Sequence, residues 1–569
     1  MPLATRLPTR REEGSSLSEK VRSVAGRARA GGTPFARRWA VAALTSQHAH
    51  SACALGGGAQ RKDSYARRRP EDTALYQCVS SYFPEFRERL QEQGGLPKFV
   101  EQEFQAYLGC GRLEAGCLEL QCRCCGHSLL VALSCKRRGF CAACLGRRMS
   151  DTAVHLEQEV LPEVPVRHWV CTFPWGVRAV LGYDRELCRE AVSAFAKELS
   201  RSLKHRAKRE FGLSSLDDAL TGLVVVVQRT DGALRLNVYL HVLALDGVYV
   251  EHEQGELGFH ALGTPSSAEV ADIARRTARR LYRAFQKQGR ISPWDDEHAF
   301  VDSGDTHPFS LDEPGLYACY QAAASGIAVS AERAGQPVLR LLVQSAKGPH
   351  GAGAACRADQ PVAEALGVNL YAKQLVDGRD RNQLERLCRY VMRPPLSQER
   401  LEWRTDGGLE LTLKNVWKDG TRALVLEPFD LLVRLCSAIP PPWFNMVRYF
   451  GVLSSHSQHR ARVVPKRTDP ARFGPPAATG DQLQLGFSSG DTNSAARTSG
   501  RSRWGWLLRH VYRADVDTCR LCGGPMRWLE ATTEQTAIAR LLAKHGLAPQ
   551  PPPEPRPRVP LGQLAFSFA

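Results

Sequence analysis

Three groups of residues in this 569-residue chain have types and spacings that can do chemistry. The first is cysteine. Eight of the 18 cysteines fall between Cys110 and Cys144, where Cys122/Cys125 and Cys141/Cys144 form two C-x2-C pairs with fifteen residues between them. That spacing matches the zinc-ribbon template. Each pair can form a knuckle supplying two thiolates, and two knuckles close a tetrahedral site with no open position for water. The expected Zn2+ at Cys122, Cys125, Cys141 and Cys144 is therefore structural, presenting a basic surface of Lys136, Arg137, Arg138, Arg147 and Arg148. Cys110, Cys117, Cys124, Cys135 and His127 are left over, and read either as a second site or, more simply, as small buried residues. Cys519 and Cys522 are half a site, which His510 or His545 would have to complete.

The second group lies on one strand-like run, LRLNVYLHVLAL. Leu234, Leu236, Val238, Leu240 and Val242 alternate with Arg235, Asn237, Tyr239, His241 and Leu243, so a strand buries the first set and displays the second. Asn237, Tyr239 and His241 then share a face. The third group is a helical run, RNQLERLCRYVMR, in which Leu384, Leu387, Cys388 and Val391 form an apolar face opposite Arg386, Arg389 and Arg393. Tyr390 sits at the border, with Arg386 four residues before it and Arg393 three after, both surface neighbours of the phenol. A phosphotyrosyl linkage needs a phenol that can lose its proton beside a held phosphate, and adjacent guanidiniums favour both. Spacing alone leaves this open against an amphipathic helix with a half-buried tyrosine and a solvated basic face. His241 alone likewise reads as an ordinary hydrogen-bonded sheet histidine.

The elements that must position these residues can be read along the chain. Residues 1–70 lack periodicity and are rich in Gly, Ala, Ser and Arg, the composition of a disordered basic extension. They hold fourteen Lys/Arg against four acidic residues, so ten of the seventeen net positive charges lie there. Overall charge thus argues only weakly for a polyanionic partner. Residues 71–150 read as two helices leading into the zinc ribbon. Residues 151–464 mix strand-like runs (VRHWVCTF, GLVVVVQ, LRLNVYLHVLAL, VYV) with helical ones, the pattern of an α+β domain. The strand-like runs Leu409–Leu413 and Arg422–Leu426 flank a turn at Asp419 and Gly420. Residues 465–502 are a Pro/Gly/Ser-rich linker, 503–548 a small C-terminal CxxC module and 549–569 a Pro-rich tail. No run reaches the roughly 18 apolar residues of a membrane span, and no signal pattern opens the chain. The expected location is cytoplasmic and nucleoid-associated.

From about Arg68 to Leu547 these segments resemble rolling-circle insertion-sequence transposases of the IS-ninety-one type, relatives of the HUH nucleases. The resemblance runs through RRPEDTALYQ, GGLPKFVEQEFQAYLGCG, SCKRRGFCAAC, VRHWVCTFPW, LNVYLHVLALDGVYV, LERLCRYVMRPPL, NVWKDGTRALVLEP, RYFGVLSSHSQHRARVVP and CRLCGGPM. It implies an HUH-like nuclease with a central antiparallel sheet flanked by helices. The implied partner is DNA, mainly single-stranded element ends, and the implied cofactors are structural Zn2+ and catalytic Mg2+ or Mn2+. A His pair would bind the divalent metal and a tyrosine would form a 5′-phosphotyrosine. His241 matches the second histidine of the pair and Tyr390 the nucleophile, while Arg386, Arg393, Arg137, Arg138, Arg147 and Arg148 are the expected DNA contacts.

Two departures stand out. Arg386 occupies the position of a second tyrosine, which makes this a single-tyrosine version. Tyr239 replaces the first histidine, and a phenol is a poor ligand beside imidazole. With Asp231 and Gly232 as hairpin tip, Gln228 would pair with Arg235 and lie about 20 Å from His241, too far to substitute. The alternatives to an active transposase are a catalytically degenerate zinc-ribbon DNA-binding relative and a replication initiator or relaxase. The ribbon and the CxxC tail argue against the last.

Overall fold

A computed structural model describes residues 67–288, 308–343, 360–465 and 516–550, with Leu564 and Phe566. The expected extension up to residue 66, the Gly/Ala-rich loop around 347–357, the linker beyond 465 and most of the Pro-rich tail lie outside the described residues. The chain divides at Arg61, and everything below belongs to the unit that follows it. Arg67, expected as part of the extension, already belongs to the fold: its guanidinium bonds the Gly111 carbonyl at 3.2 Å.

The first two helices form as their apolar spacing requires. Helix α1, Ala74–Gln91, starts where the Thr73 hydroxyl accepts from the Tyr76 N–H, and α2, Lys98–Leu108, stacks Phe104 on Phe83 at 4.2 Å between centroids. Strands β1, Cys117–Cys122, and β2, Ser128–Ala132, follow, then helix α3, Ala142–Glu159. Next come β3, Val166–Thr172, α4, Arg178–Tyr183, and the long α5, Arg185–Phe211, capped by Asp184 and ended by left-handed Gly212. Strands β4, Gly222–Thr230, β5, Leu236–Leu245, β6, Gly247–Glu251, and β7, Leu257–Ala261, precede α6, Ser267–Lys287, which opens on a Ser266/Glu269 capping box. Helices α7, Pro308–Asp312, and α8, Pro314–Ser325, lead to β8, Leu339–Leu342.

Strands β9, Val362–Ala365, and β10, Val368–Val376, deliver the chain to α9, Arg381–Val391, the tyrosine helix. The Asp380 carboxylate caps it through the Gln383 N–H. Leu384, Leu387, Cys388 and Val391 are its buried residues, the face that the helical period picks out. Pro394 and Pro395 follow its end. Strands β11, Leu401–Trp403, β12, Leu409–Thr412, and β13, Thr421–Leu426, precede α10, Pro428–Ala438, β14, Val447–Gly451, and α11, Arg460–Val463. Last are β15, Met526–Thr532, and α12, Gln535–Lys544. The α+β architecture is the one read from the sequence.

The central sheet has the order β14-β4-β5-β3-β10-β9 with every pair antiparallel. One face packs Val225, Val227, Val238, Leu240 and Val242 into the main apolar core with α5 and α10. The other face packs Val224, Val226, Leu243 and Val376 against Leu156 of α3 and Leu384, Leu387 and Val391 of α9. Because helices cover both faces, the supposedly displayed side of β5 is buried too, and His241 is only 2% exposed.

A buried ion pair fastens β3 to the end of β5. Arg167 Nε and Nη2 each bond an Asp246 carboxylate oxygen at 2.7 Å, and Arg167 Nη1 bonds the Ala372 carbonyl of β10 at 3.1 Å. In such a site the charges persist only because geometry is bidentate and the remaining donors are used. A second sheet, β11-β12-β13-β8, lies apart from the first, and β6 pairs with β7. The third sheet has the order β15-β1-β2. The tail segment expected as a separate module thus supplies an edge strand to the cysteine-rich region.

Candidate active site and cysteine centres

The sheet brings four separated segments to one place. His241 on β5 and Tyr390 on α9 lie with their rings 5.5 Å apart between centroids, and Tyr239 lies 5.2 Å from His241. Arg393, just past the end of α9, sits over the Tyr390 ring at 4.4 Å and hydrogen-bonds the phenol. Its Nη2 also reaches the Tyr239 hydroxyl at 3.5 Å. One guanidinium therefore bridges both phenols. Burial raises the Tyr239 phenol, and the Arg393 charge only partly opposes this, so Tyr239 stays a neutral phenol at neutral pH. Arg386 is not at this centre: it is exposed, and its guanidinium bonds the Asn382 carbonyl at 3.1 Å.

A residue absent from the sequence expectations completes the group. His168 of β3 places Nε2 at 2.9 Å from His241 Nδ1, and its own Nδ1 meets Gln374 Oε1 at 3.2 Å. Its ring is also 5.9 Å from Tyr390. The order of partners sets the tautomers. The amide oxygen can only accept, so His168 Nδ1 carries the proton and His168 Nε2 accepts from His241 Nδ1. His241 Nε2 is then left with a lone pair, buried and without a partner among the described residues. Burial holds His168 down at about 4 and His241 well below the usual imidazole range, with nearby Arg393 acting in the same direction. Both rings are neutral, but only His241, through Nε2, keeps a lone pair free; that of His168 Nε2 is used by the His241 Nδ1–H. The signal in the sequence was a histidine beside Arg167 in the strand-like run of β3, but its neighbour could be read only from the β3–β5 register, in which Val170 faces His241.

The β4–β5 register also corrects the distance argument about Gln228. The connection is longer than a two-residue turn: Asp231 Oδ1 accepts from the Ala233 and Arg235 N–H groups, and Leu234 adopts a left-handed φ of 59°. Gln228 consequently faces Tyr239, and Val226 faces His241. Gln228 is at the site after all. Its Nε2 bonds the Val391 carbonyl at 2.8 Å, pinning the turn that follows Tyr390.

The cysteines regroup as well. Cys122, Cys125, Cys141 and Cys144 do not meet at one centre. Instead the sulfurs form two tetrads, Cys110/Cys135/Cys141/Cys144 and Cys122/Cys125/Cys519/Cys522, each with its four sulfurs within 4.8 Å of one another. The reason is the path of the chain. After the Cys122 knuckle the chain runs away along β2, and Cys141 stands at the start of α3, where Cys110 from the end of α2 and Cys135 approach it. In the first tetrad Sγ pairs lie at 3.4 to 3.6 Å. A tetrahedral zinc with bonds of about 2.3 Å needs edges of about 3.8 Å, so an all-thiolate set at this spacing fits structural Zn2+. Cys110 and Cys135, expected as bland, are therefore in a ligand-like group. Cys117 is buried among Leu130, Ile538 and Leu542, the bland environment expected of it. His545 does not join Cys519; it bonds Glu119 Oε1 at 3.0 Å. His510 lies outside the described residues.

Of the basic surface on the cysteine region, Lys136 and Arg148 are exposed and Arg137 and Arg147 half-buried. Arg138 is turned inward and bonds the Phe444 carbonyl at 3.1 Å. It joins the cysteine region to the central domain.

Comparison with known proteins agrees with this division. Residues 79–173 match the family described as "Transposase zinc-binding domain", the IS91 type, and residues 222–461 match the family described as "Putative transposase". The chain belongs to the IS91-type transposases. The transposase for insertion sequence element IS801 of Pseudomonas savastanoi pv. phaseolicola is 22% identical to this transposase over 400 residues, covering 68% of this chain and 78% of the relative. No solved structure matches it. Within the transposase, the zinc-binding match contains the first cysteine tetrad and reaches β3 with His168, whereas the second match contains β4, β5 and α9. Cys519 and Cys522 lie beyond both. As a transposase the protein acts on DNA, and no helix among its described residues is long and apolar enough to cross a membrane.

Proposed function

We propose that this transposase cleaves and rejoins single-stranded DNA at its own element's ends during rolling-circle transposition, with Tyr390 as the nucleophile. The observation that carries the reading is the meeting of Tyr390 with the neutral His241 and the cationic Arg393. The Tyr390 oxygen attacks the scissile phosphorus and the bond to the 3′-oxygen breaks. The phenol gives up its proton and the leaving 3′-oxygen takes one up. The resulting 5′-phosphotyrosine retains the energy of the broken ester, so a 3′-hydroxyl can reverse the step and join strands without ATP. Arg393 stabilises the phenolate and holds a phosphate oxygen.

The resemblance also calls for Mg2+ or Mn2+, which when bound supplies Lewis-acid stabilisation of charge on the phosphate oxygens. The fit is a single imidazole: His241, through its Nε2 without a partner among the described residues, would hold it, and His168 would orient that ring through His241 Nδ1. Asn237 Oδ1 is likewise buried without a partner among the described residues, but at four residues along the strand it is about 13 Å away. Water and substrate oxygens are left to fill the remaining positions, as Mg2+ tolerates. Structural zinc belongs to Cys110, Cys135, Cys141 and Cys144. Arg386, Arg137, Arg147, Arg148 and Lys136 contact DNA phosphates, and the site of action is the cytoplasmic nucleoid.

Tyr239 in place of a histidine favours a second reading, a degenerate copy that binds element ends without cutting. One assay separates the two: full-length protein is mixed with single-stranded oligonucleotides covering the element ends plus Mg2+ or Mn2+, and a covalent protein–DNA band is sought. A band that disappears in Tyr390→Phe supports the nuclease. Binding without a band, with a band restored by Tyr239→His, supports the degenerate copy. A band that survives Tyr390→Phe excludes this tyrosine as the nucleophile.

A further inference from the structure

We infer that Cys122, Cys125, Cys519 and Cys522 hold a second structural zinc, a clasp made half from the cysteine-rich region and half from the C-terminal segment. Its two halves are 400 residues apart in the chain and repeat one another in detail. Both read Cys-Arg-x-Cys-Gly, as Cys122-Arg123-Cys124-Cys125-Gly126 and Cys519-Arg520-Leu521-Cys522-Gly523. Both glycines take a left-handed φ, 72° at Gly126 and 73° at Gly523. In the first half the Cys122 N–H bonds the His127 carbonyl at 2.7 Å and the Gly126 N–H bonds the Cys122 carbonyl at 3.2 Å. In the second the Cys519 N–H bonds the Gly524 carbonyl at 2.7 Å and the Gly523 N–H bonds the Cys519 carbonyl at 2.9 Å.

These are two copies of one knuckle, and their N–H groups point at sulfur. The Cys124 N–H meets Cys122 Sγ at 3.3 Å and the Gly524 N–H meets Cys522 Sγ at 3.4 Å. Backbone donors of this kind favour thiolate, the form that binds zinc. Across the join, Cys122 and Cys522 sulfurs are 3.4 Å apart and Cys125 and Cys519 sulfurs 3.6 Å, close to a tetrahedral edge and far beyond the roughly 2.05 Å of a disulfide. The packing leaves no room for another side chain: a Cβ on Gly524 would stand 2.5 Å from Cys124 Sγ and 3.3 Å from Cys122 Sγ.

The surrounding contacts bring the same two segments together. Strand β15 pairs with β1 from Cys122 opposite Met526 to Cys117 opposite Thr532. Buried Glu119 of β1 is bonded by Lys544 and His545 at the end of α12, and Ile538, Leu541 and Leu542 of that helix cover Cys117 and Leu130. These apolar contacts are few, so the ion adds what a small core lacks. The C-terminal segment is not an independent finger but the missing half of the ribbon.

The test is a zinc count on the full-length protein purified under reducing conditions, a readout independent of DNA cleavage. Two zinc ions per chain are expected, and one in the Cys519→Ser/Cys522→Ser double variant, with Cys110, Cys135, Cys141 and Cys144 still protected from alkylation. One zinc in the unmodified protein, or two in the double variant, overturns the inference. Should the variant not fold, stepwise zinc release from the unmodified protein by a mercurial decides it. Since Cys125 and Cys522 are exposed, the first ion released should unmask Cys122, Cys125, Cys519 and Cys522 together to a mass-resolved alkylating reagent. Alkylation of Cys519 and Cys522 before any zinc leaves would overturn it.

Discussion

The three-stranded cysteine sheet and the six-stranded central sheet carry their functional residues on very different supports. The small sheet has little apolar packing of its own: Leu118, Leu120, Val131 and Val516 on one side, and Cys117, Leu130, Ile538, Leu541 and Leu542 on the other. Thiolate tetrads stand where a larger core would be. The central sheet is packed on both faces, and its polar residues are held by register and by the Arg167–Asp246 pair. A metal shapes the first region, whereas in the second packing comes first and any metal serves chemistry. The comparison predicts that the two regions fail separately.

The largest effect is expected for Cys141→Ser. A structural zinc contributes on the order of 10 kcal/mol, so this variant should lose one zinc per chain and the amide protection of residues 110–150, while β4 and β5 remain protected in hydrogen exchange. Unchanged zinc content would break the distinction. Next, Asp246→Ala leaves Arg167 charged and buried, a loss of about 3–5 kcal/mol read as a lower denaturant midpoint with zinc content unaltered. A midpoint that does not move would mean that register rests on the apolar packing alone. Arg393→Gln should slow adduct formation by about 10²–10³-fold while leaving both fold and zinc intact. An undiminished rate would remove Arg393 from the chemistry. The smallest effect is that of exposed Arg386→Ala: single-strand binding should weaken uniformly, with a salt slope shallower by about 0.7. A loss of adduct at saturating DNA would instead put Arg386 in the active site.

Much of the fold was legible because local patterns carry it. The apolar period of α9 predicted which of its residues are buried, and the Asp419–Gly420 turn between β12 and β13 formed with Leu411 opposite Leu424. The site was legible only in part. His241 and Tyr390 could be named from the resemblance, and they do come together, but His168 could not, because nothing local in VRHWVCT says which strand will lie beside it. Gln228 was placed wrongly because Asp231 and Gly232 imitate a two-residue turn, while the Asp231 side chain builds a longer one. The repeated Cys-Arg-x-Cys-Gly was visible in the sequence and is the signal that pairs the knuckles; the shared C-x2-C spacing of Cys141 and Cys144 drew attention to the wrong partners.

The amino-acid sequence by itself determined the strand alternation around His241, the buried stripe of the tyrosine helix and the thiolate character of the cysteine centres, since each depends on residues a few positions apart. Tertiary structure alone decided which four sulfurs share a centre, and which imidazole stands beside His241. Ligand grouping and cross-strand contact are matters of a few ångströms between points tens or hundreds of residues apart. Such distances are set by chain path and sheet register, which no local spacing encodes.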